Sequence, residues 1–129
     1  LNGSFGQVAG TDSTGAATFA EMATAADFDG TSPFTPESYD AAALIMLAMQ
    51  AAGSSASADV KDKIFDVANA PGEKIFPGEL AKALQIIKDG GEVDYVGASA
   101  VELIGNGESA GSYRQLKVEG GKFVTVQYR

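Results

Sequence analysis

The spacing of apolar residues predicts four helices within residues 1–90. They cover residues 16–26, residues 37–52, a segment that begins at Ser57 or Asp59 and runs to residue 68, and residues 80–88. Gly30, Pro71-Gly72 and Gly90-Gly91 provide stop signals. Three of the helices carry apolar residues on one face. These positions are Phe19, Met22, Ala23 and Ala26; Val60, Ile64, Val67 and Ala68; and Leu80, Ala83, Leu84 and Ile87.

The helix predicted over residues 37–52 differs because residues 41–49 are almost continuously apolar. A helix that is apolar all round is buried on several sides, so we expect this one at the centre of the core. Pro36 lies near its first turn and Gly53 ends it. Residues 31–36, with two prolines, and residues 73–77 are predicted to be loops.

Beyond Gly91 the apolar period changes from helical to alternating. We expect short strands at residues 93–96, 101–104, 113–118 and 123–128, with a turn at Gly105-Asn106-Gly107 and a hairpin turn at residues 119–122. Residues 1–12 predict a strand remnant and a loop. The order of elements predicts an α/β fold. Since four short strands leave sheet edges unsatisfied, we expect the chain to be part of a larger fold.

Charge and composition exclude several functional classes. The formal net charge is −8, so the chain repels phosphate backbones, and nucleic acid is not an expected partner. The sequence has no cysteine and no histidine, which removes thiol nucleophiles, imidazole bases and the usual zinc ligands. The acidic cluster of Glu21, Asp27 and Asp29 lacks the spacing of a calcium loop. We expect no cofactor and no metal.

An ordered series of segments along nearly the whole chain is similar to one protein family. The segments are Tyr39-Asp40-Ala41-Ala42, Gly90-Gly91-Glu92-Val93-Asp94-Tyr95-Val96-Gly97-Ala98, residues 101–104, Asn106-Gly107-Glu108, residues 113–118, Gly121-Lys122-Phe123-Val124 and, more loosely, residues 3–8. No single segment is specific, and the resemblance rests on their order and spacing. In these segments the chain resembles the C-terminal portion of the type I periplasmic solute-binding proteins of the branched-chain amino-acid/amide ABC transporter family.

The resemblance implies an architecture of two Rossmann-like lobes joined by a three-crossing hinge, of which this chain holds an incomplete part. Residues 1–33 would belong to lobe 2, residues 34–104 to lobe 1, and residues 105–129 to the last hinge crossing and the strands that return to lobe 2. It also implies an amino-acid or amide ligand, a membrane permease as partner, and a periplasmic location reached through a signal peptide absent from this chain. Self-association, or association with the N-terminal part that the chain lacks, is a further expectation.

The resemblance also places candidate ligand-binding residues at the start of the second predicted helix: Phe34, Glu37, Ser38 and Tyr39. Three of them have a structural alternative. Phe34 is expected either to line the ligand pocket or to fill the core, and Glu37 either to bind the ligand or to act as an acid favoured by the helix dipole. Tyr39 is expected to reach the ligand or to pack with its hydroxyl bonded. Asp40 and Tyr95 are assigned hinge or structural roles, with Asp40 accepting bonds from backbone N–H groups.

Three functions remain in view. The first is the solute-binding component of an importer, without chemistry of its own. The second is a ligand-sensing domain of a receptor or regulator in the same superfamily. The third is a small enzyme, which would depend on Asp or Glu pairs alone because histidine and cysteine are absent. No catalytic constellation supports the third, so we expect a protein that is not an enzyme.

Overall fold

The computed structural model describes residues 1–105 and 107–129, with most of the helices in the first two thirds of the chain and most of the strands in the last third. The fold is mixed α/β, as predicted. The elements are β1 (Phe5–Ala9), α1 (Thr14–Ala25), α2 (Thr35–Ala52), α3 (Ser57–Lys61), α4 (Ile64–Ala68), β2 (Glu73–Ile75), α5 (Leu80–Lys88), β3 (Val93–Tyr95), β4 (Leu103–Gly105), β5 (Glu108–Ser109), β6 (Tyr113–Glu119) and β7 (Lys122–Tyr128).

The helix α2 belongs to the core, as predicted, but it is buried on one face only, and the expected burial on several sides was wrong. Leu44, Leu47 and Ala48 are buried, whereas Ile45, Met46 and Met49 are 50%, 43% and 37% exposed. The helix packs against α3, α4 and α5, and the parallel pair β2–β3 completes the cluster. We refer to α2–α5 with β2 and β3 as the α/β body. Leu47, Ile75 and Val93 are at most 1% exposed, and full burial of such a side chain stabilises the fold by about 1.5–3 kcal/mol.

The second sheet is antiparallel and joins the two ends of the described chain. Its strand order is β1-β6-β7, with Phe5 opposite Lys117 and Arg114 opposite Tyr128. The hairpin between β6 and β7 confirms the predicted turn, since Gly120 and Gly121 both have positive φ, as tight hairpin turns require. We refer to these three strands as the antiparallel sheet.

Two predictions within the α/β body were wrong. The helix expected to continue to residue 68 is broken into α3 and α4, because Asp62 and Lys63 form a tighter turn in which Lys63 N–H bonds the carbonyl of Val60. Val60 and Ile64 nevertheless both pack on the core, so the apolar spacing survives the break. The loop expected at residues 73–77 contains the strand β2, whose single buried residue, Ile75, gave no alternating pattern.

The short strands β4 and β5 also differ from expectation. The strand predicted at 101–104 is observed at Leu103–Gly105, and β5 was not predicted. The Asn69 side chain donates to the Leu103 carbonyl and accepts from its N–H, as a neighbouring strand would. The predicted turn at Gly105-Asn106-Gly107 includes Asn106, which lies outside the described residues. No helix in the described ranges is both long and apolar enough to cross a membrane.

Candidate functional site

A cleft lies where the antiparallel sheet meets the α/β body. The sheet contributes the end of β1 with residues 10 and 11, Arg114 of β6 and Tyr128 of β7. The opposite side is formed by residues 30–37, which lead into α2, and by Ala98 and Ser99 after β3. The cavity itself has a volume of about 90 Å³, and the space between its walls is about 530 Å³ when the part open to solvent is included. Because its walls come from both structural units, a relative movement of the two would change its width.

The floor of the cleft is fixed by the buried carboxylate of Asp40. Its Oδ1 accepts from Tyr95 Oη and from Ala98 N, both at 2.8 Å. Its Oδ2 accepts from Ser99 N at 2.7 Å and from Ser99 Oγ at 2.6 Å. Asp40 is 1% exposed, and a buried charge is stable only when such donors replace water. Asp40 therefore ties α2 to the loop that supplies Ala98 and Ser99.

Tyr95 is suited to remain a hydrogen-bond donor in this cluster. Burial, together with the negative charge of Asp40 and the hydrogen bond to it, raises the pKa of the Tyr95 phenol far above its ordinary value. The hydroxyl keeps its proton through the neutral and moderately alkaline range, so the bond to Asp40 persists there.

Two glycines allow the backbone to pass close to this cluster. Gly97 has φ +63°, and a Cβ at this position would collide with the carboxylate of Asp40 and the ring of Tyr95. Gly15, in the first turn of α1, packs directly on the carbonyl of Gly97, where no Cβ would fit. These contacts place the beginning of α1 beside the cleft, where Thr11 and Ala16 line it.

Phe34 forms one wall of the cleft and is not part of the core. It is 64% exposed and precedes the first residue of α2 with φ +66°. A bulky residue in the left-handed region is strained by about 1–3 kcal/mol, and such strain often accompanies a binding role. The Phe34 carbonyl accepts from both the N–H and the hydroxyl of Ser38, which helps to hold this conformation.

Glu37 and Arg114 bring opposite charges into the same cleft. Among the described residues, Glu37 Oε2 and Arg114 Nε are each buried without a hydrogen-bond partner. The two side chains do not form an ion pair within 4.0 Å there. A buried charged atom without a partner is costly, so these two atoms are suited to bind water or a small molecule that enters the cleft.

Three hydroxyl groups around the cleft have donated their hydrogens away from it. Thr31 Oγ1 and Ser32 Oγ donate to the carboxylate of Asp29, at 2.7 and 2.9 Å, and Ser99 Oγ donates to Asp40. The hydroxyl and backbone N–H of Thr31, and then the hydroxyl of Ser32, keep the pKa of Asp29 below its usual value. Because a hydroxyl has one hydrogen and two lone pairs, these groups can offer only acceptors to a ligand.

The four candidate ligand-binding residues are divided by the structure. Phe34 and Glu37 line the cleft, whereas Ser38 and Tyr39 are not among its lining residues. The Tyr39 ring packs on Phe19 with ring centroids 4.9 Å apart, and its hydroxyl accepts from the N–H of Gly78 at 3.2 Å. Residue Arg114 was missed, because only the pairing of β6 between β1 and β7 brings it to the cleft.

Comparisons with protein-family models, with curated proteins and with solved structures found no match. Within residues 1–105 and 107–129 there is no group of three or more acidic, histidine or cysteine side chains placed to hold a metal ion. The chemistry available in the cleft is that of a carboxylate, a guanidinium, several hydroxyl groups and the aromatic surfaces of Phe34 and Tyr128, and the hydroxyls include those of Thr11 and Tyr128.

Proposed function

We propose that this chain is part of an extracytoplasmic solute-binding protein that delivers amino acids, or related small amides or carboxylates, to the permease of an ABC importer. The observation that carries the proposal is the cleft between the antiparallel sheet and the α/β body, with Glu37 and Arg114 directed into it and left without partners among the described residues. Polar groups that converge in a concave site are typical of small-molecule binding.

The type I periplasmic-binding-protein fold belongs to the same proposal. The α/β body supports it, because its parallel pair β2–β3 lies among helices, as in α/β lobes. The antiparallel sheet fits the role of hinge crossings, since it connects residues 5–9 with residues 113–128 beside the cleft. The two-lobed architecture, the permease and the periplasmic location rest on the sequence resemblance alone.

The test is binding without turnover. Isothermal titration calorimetry of the chain against the twenty standard amino acids, their amides and short carboxylates is expected to show saturable binding at one site. Mass spectrometry of the ligand recovered after denaturation is expected to return it unchanged. Absence of binding across the panel would refute the proposal, and recovery of a chemically altered ligand would indicate an enzyme instead.

A pair of matched variants locates the binding. Phe34→Ala removes an exposed aromatic side chain from the cleft wall, and Phe123→Ala removes one from β7, where Phe123 is 77% exposed and does not line the cleft. We expect at least a fivefold loss of affinity for Phe34→Ala and none for Phe123→Ala. Equal affinities in the two variants would place the ligand elsewhere.

A further inference from the structure

We propose that the free edge of β7 is a docking surface for another protein, which adds an extended segment with acidic side chains as a fourth strand of the antiparallel sheet. Three features of the sheet support such a partner: an unpaired strand edge, exposed apolar side chains along it, and a local positive charge in an acidic chain. The first two make strand addition possible, and the third specifies the chemistry of the partner. This surface does not depend on any ligand of the cleft.

The strand β7 leaves the main-chain groups of one edge unpaired. Within residues 1–105 and 107–129 it pairs with β6 alone, at the end of the order β1-β6-β7. Val118 faces Phe123 in the β6–β7 register, but its N–H and carbonyl bond Ser4 and Gly3 on the side of β1. In an antiparallel pair, two facing residues either bond each other or both point away. The N–H and carbonyl of Phe123 therefore point to the free edge, where an incoming strand can bond them.

The edge of β7 has few of the features that protect sheet edges from other chains. Such features are short strands, prolines, charged side chains and bulges. The strand has seven residues without proline or glycine, and Phe123, Val124 and Val126 are 77%, 41% and 50% exposed. Its register with β6 shifts once, after Thr125, so residues 122–125 remain regular. A segment that pairs there gains main-chain hydrogen bonds and covers apolar side chains on both faces.

The hairpin of β6 and β7 is positively charged within an acidic chain. Residues 113–129 carry four of the nine basic side chains and one of the seventeen acidic ones, a formal charge of +3 in a chain of −8. Lys122 begins β7 and Arg129 follows its last residue, and both are exposed. Neither forms an ion pair in the described part of the chain. An added strand with acidic residues near both ends is therefore complementary to this edge.

Charge also disfavours two other occupants of the same edge. Two copies of β7 in antiparallel pairing would bring Lys122 of one copy near Arg129 of the other, and both chains carry −8. An anionic membrane would attract the hairpin but repel residues 1–112, which carry sixteen acidic and five basic side chains. A single extended segment contacts the hairpin alone, and salt screens the more distant acidic residues.

The experiment measures the binding of three fluorescein-labelled peptides to the full chain by fluorescence anisotropy. The peptides are Glu-Val-Thr-Val-Thr-Val-Glu, its basic counterpart Lys-Val-Thr-Val-Thr-Val-Lys, and Glu-Val-Thr-Pro-Thr-Val-Glu, in which proline interrupts the strand. We expect the first to bind more tightly than the other two by about tenfold or more. The net charge of the whole chain favours the basic peptide instead, so the two expectations have opposite signs. No measurable binding of the acidic peptide, or binding of the basic peptide that is equal or tighter, would refute the proposal.

Two pairs of variants separate main-chain pairing from charge. Phe123→Pro removes the N–H at the free edge and is expected to abolish binding of the acidic peptide, whereas Phe123→Ala keeps the N–H and should retain most of it. Lys122→Gln with Arg129→Gln is expected to remove the preference for the acidic peptide. Lys74→Gln with Lys88→Gln removes two exposed charges from the α/β body and should keep it. Circular dichroism establishes that each variant is folded. Unchanged binding of the acidic peptide to folded Phe123→Pro would exclude strand addition at this edge.

Two further measurements identify the occupant. Sedimentation equilibrium of the chain alone is expected to show no dimer that Phe123→Pro abolishes. Flotation with vesicles of phosphatidylserine and phosphatidylcholine is expected to leave the chain unbound. A dimer that is lost in Phe123→Pro would assign the edge to a second copy, and vesicle binding without peptide binding would assign it to a membrane. Either result would overturn the acidic partner and leave the test of the cleft unaffected.

Discussion

The α/β body and the antiparallel sheet are stabilised by different interactions. In the body, α2 buries Leu47 and Ala48 completely against its neighbours. In the sheet, every residue of β7 is exposed, and the strand is held by its backbone ladder to β6. The cleft is lined by Ala98 and Ser99, in the loop that follows β3 of the α/β body, and by Arg114 of the antiparallel sheet. A cleft of this kind depends on apolar packing on one side and on strand pairing on the other.

The two units are expected to differ most in the loss of unfolding free energy when one apolar side chain is truncated in each. Leu47→Ala, at 0% exposure in the α/β body, should lower the free energy of unfolding by about 2–5 kcal/mol, because a cavity is added to the lost burial. Val124→Ala, at 41% exposure on β7, should change it by about 0.5 kcal/mol. Urea denaturation followed by circular dichroism measures the free energy of unfolding of both variants. Similar losses in the two variants would contradict the expected difference between the α/β body and the antiparallel sheet.

A smaller but more local effect is expected where the two units meet. Gly97→Ala should destabilise the fold by about 3 kcal/mol, because positive φ is unfavourable for alanine and the new Cβ would collide with Asp40. Gly53→Ala is the matched control. It has a similar φ of +60° but no atom within 4 Å of the added Cβ, so it should cost about 1–2 kcal/mol. Equal losses of unfolding free energy would show that the contact with Asp40 is unimportant.

The smallest effect concerns alkaline pH and Tyr95. The pKa of Tyr95 is raised in the folded state, whereas an unfolded tyrosine ionises near pKa ~10, so above that pH the unfolded state binds fewer protons and stability falls. Between about pH 10 and pH 11 this contribution amounts to about 1 kcal/mol. Denaturation as a function of pH should show the fall in the wild type and a weaker one in Tyr95→Phe. Tyr113→Phe, in the antiparallel sheet, should behave like the wild type; identical profiles for all three would refute the role of Tyr95.

Apolar spacing was sufficient to predict most of the helices, but it did not predict the shortest strands or the break between α3 and α4. The long runs behind α1, α2 and α5 repeat often enough to be recognised. The strand β2 has three residues, two of them charged and exposed, so no periodicity could reveal it. The break between α3 and α4 depends on a local tightening of the backbone, which leaves the apolar positions unchanged.

Only those residues of the candidate site that lie close together in the sequence could be predicted. Phe34 and Glu37 stand next to a recognisable helix start, so sequence resemblance could single them out. Arg114 is 77 positions beyond Glu37 in the numbering and reaches the cleft only through the register of β6 with its neighbours. Its location on a predicted strand gave no indication of the partner that it faces. Residues that meet across two structural units require the pairing of those units to be known.

The hydrogen bonds of Asp40 also determine when the cleft can form during synthesis. Tyr95, Ala98 and Ser99 follow Asp40 by 55, 58 and 59 residues. At roughly 5–20 residues per second, the ribosome takes roughly 3–12 seconds to add them. During that interval the carboxylate of Asp40 lacks these four hydrogen bonds, and α2 is not yet tied to the loop that carries Ala98 and Ser99. The amino-terminal half of the chain is therefore synthesised before this side of the cleft can be assembled.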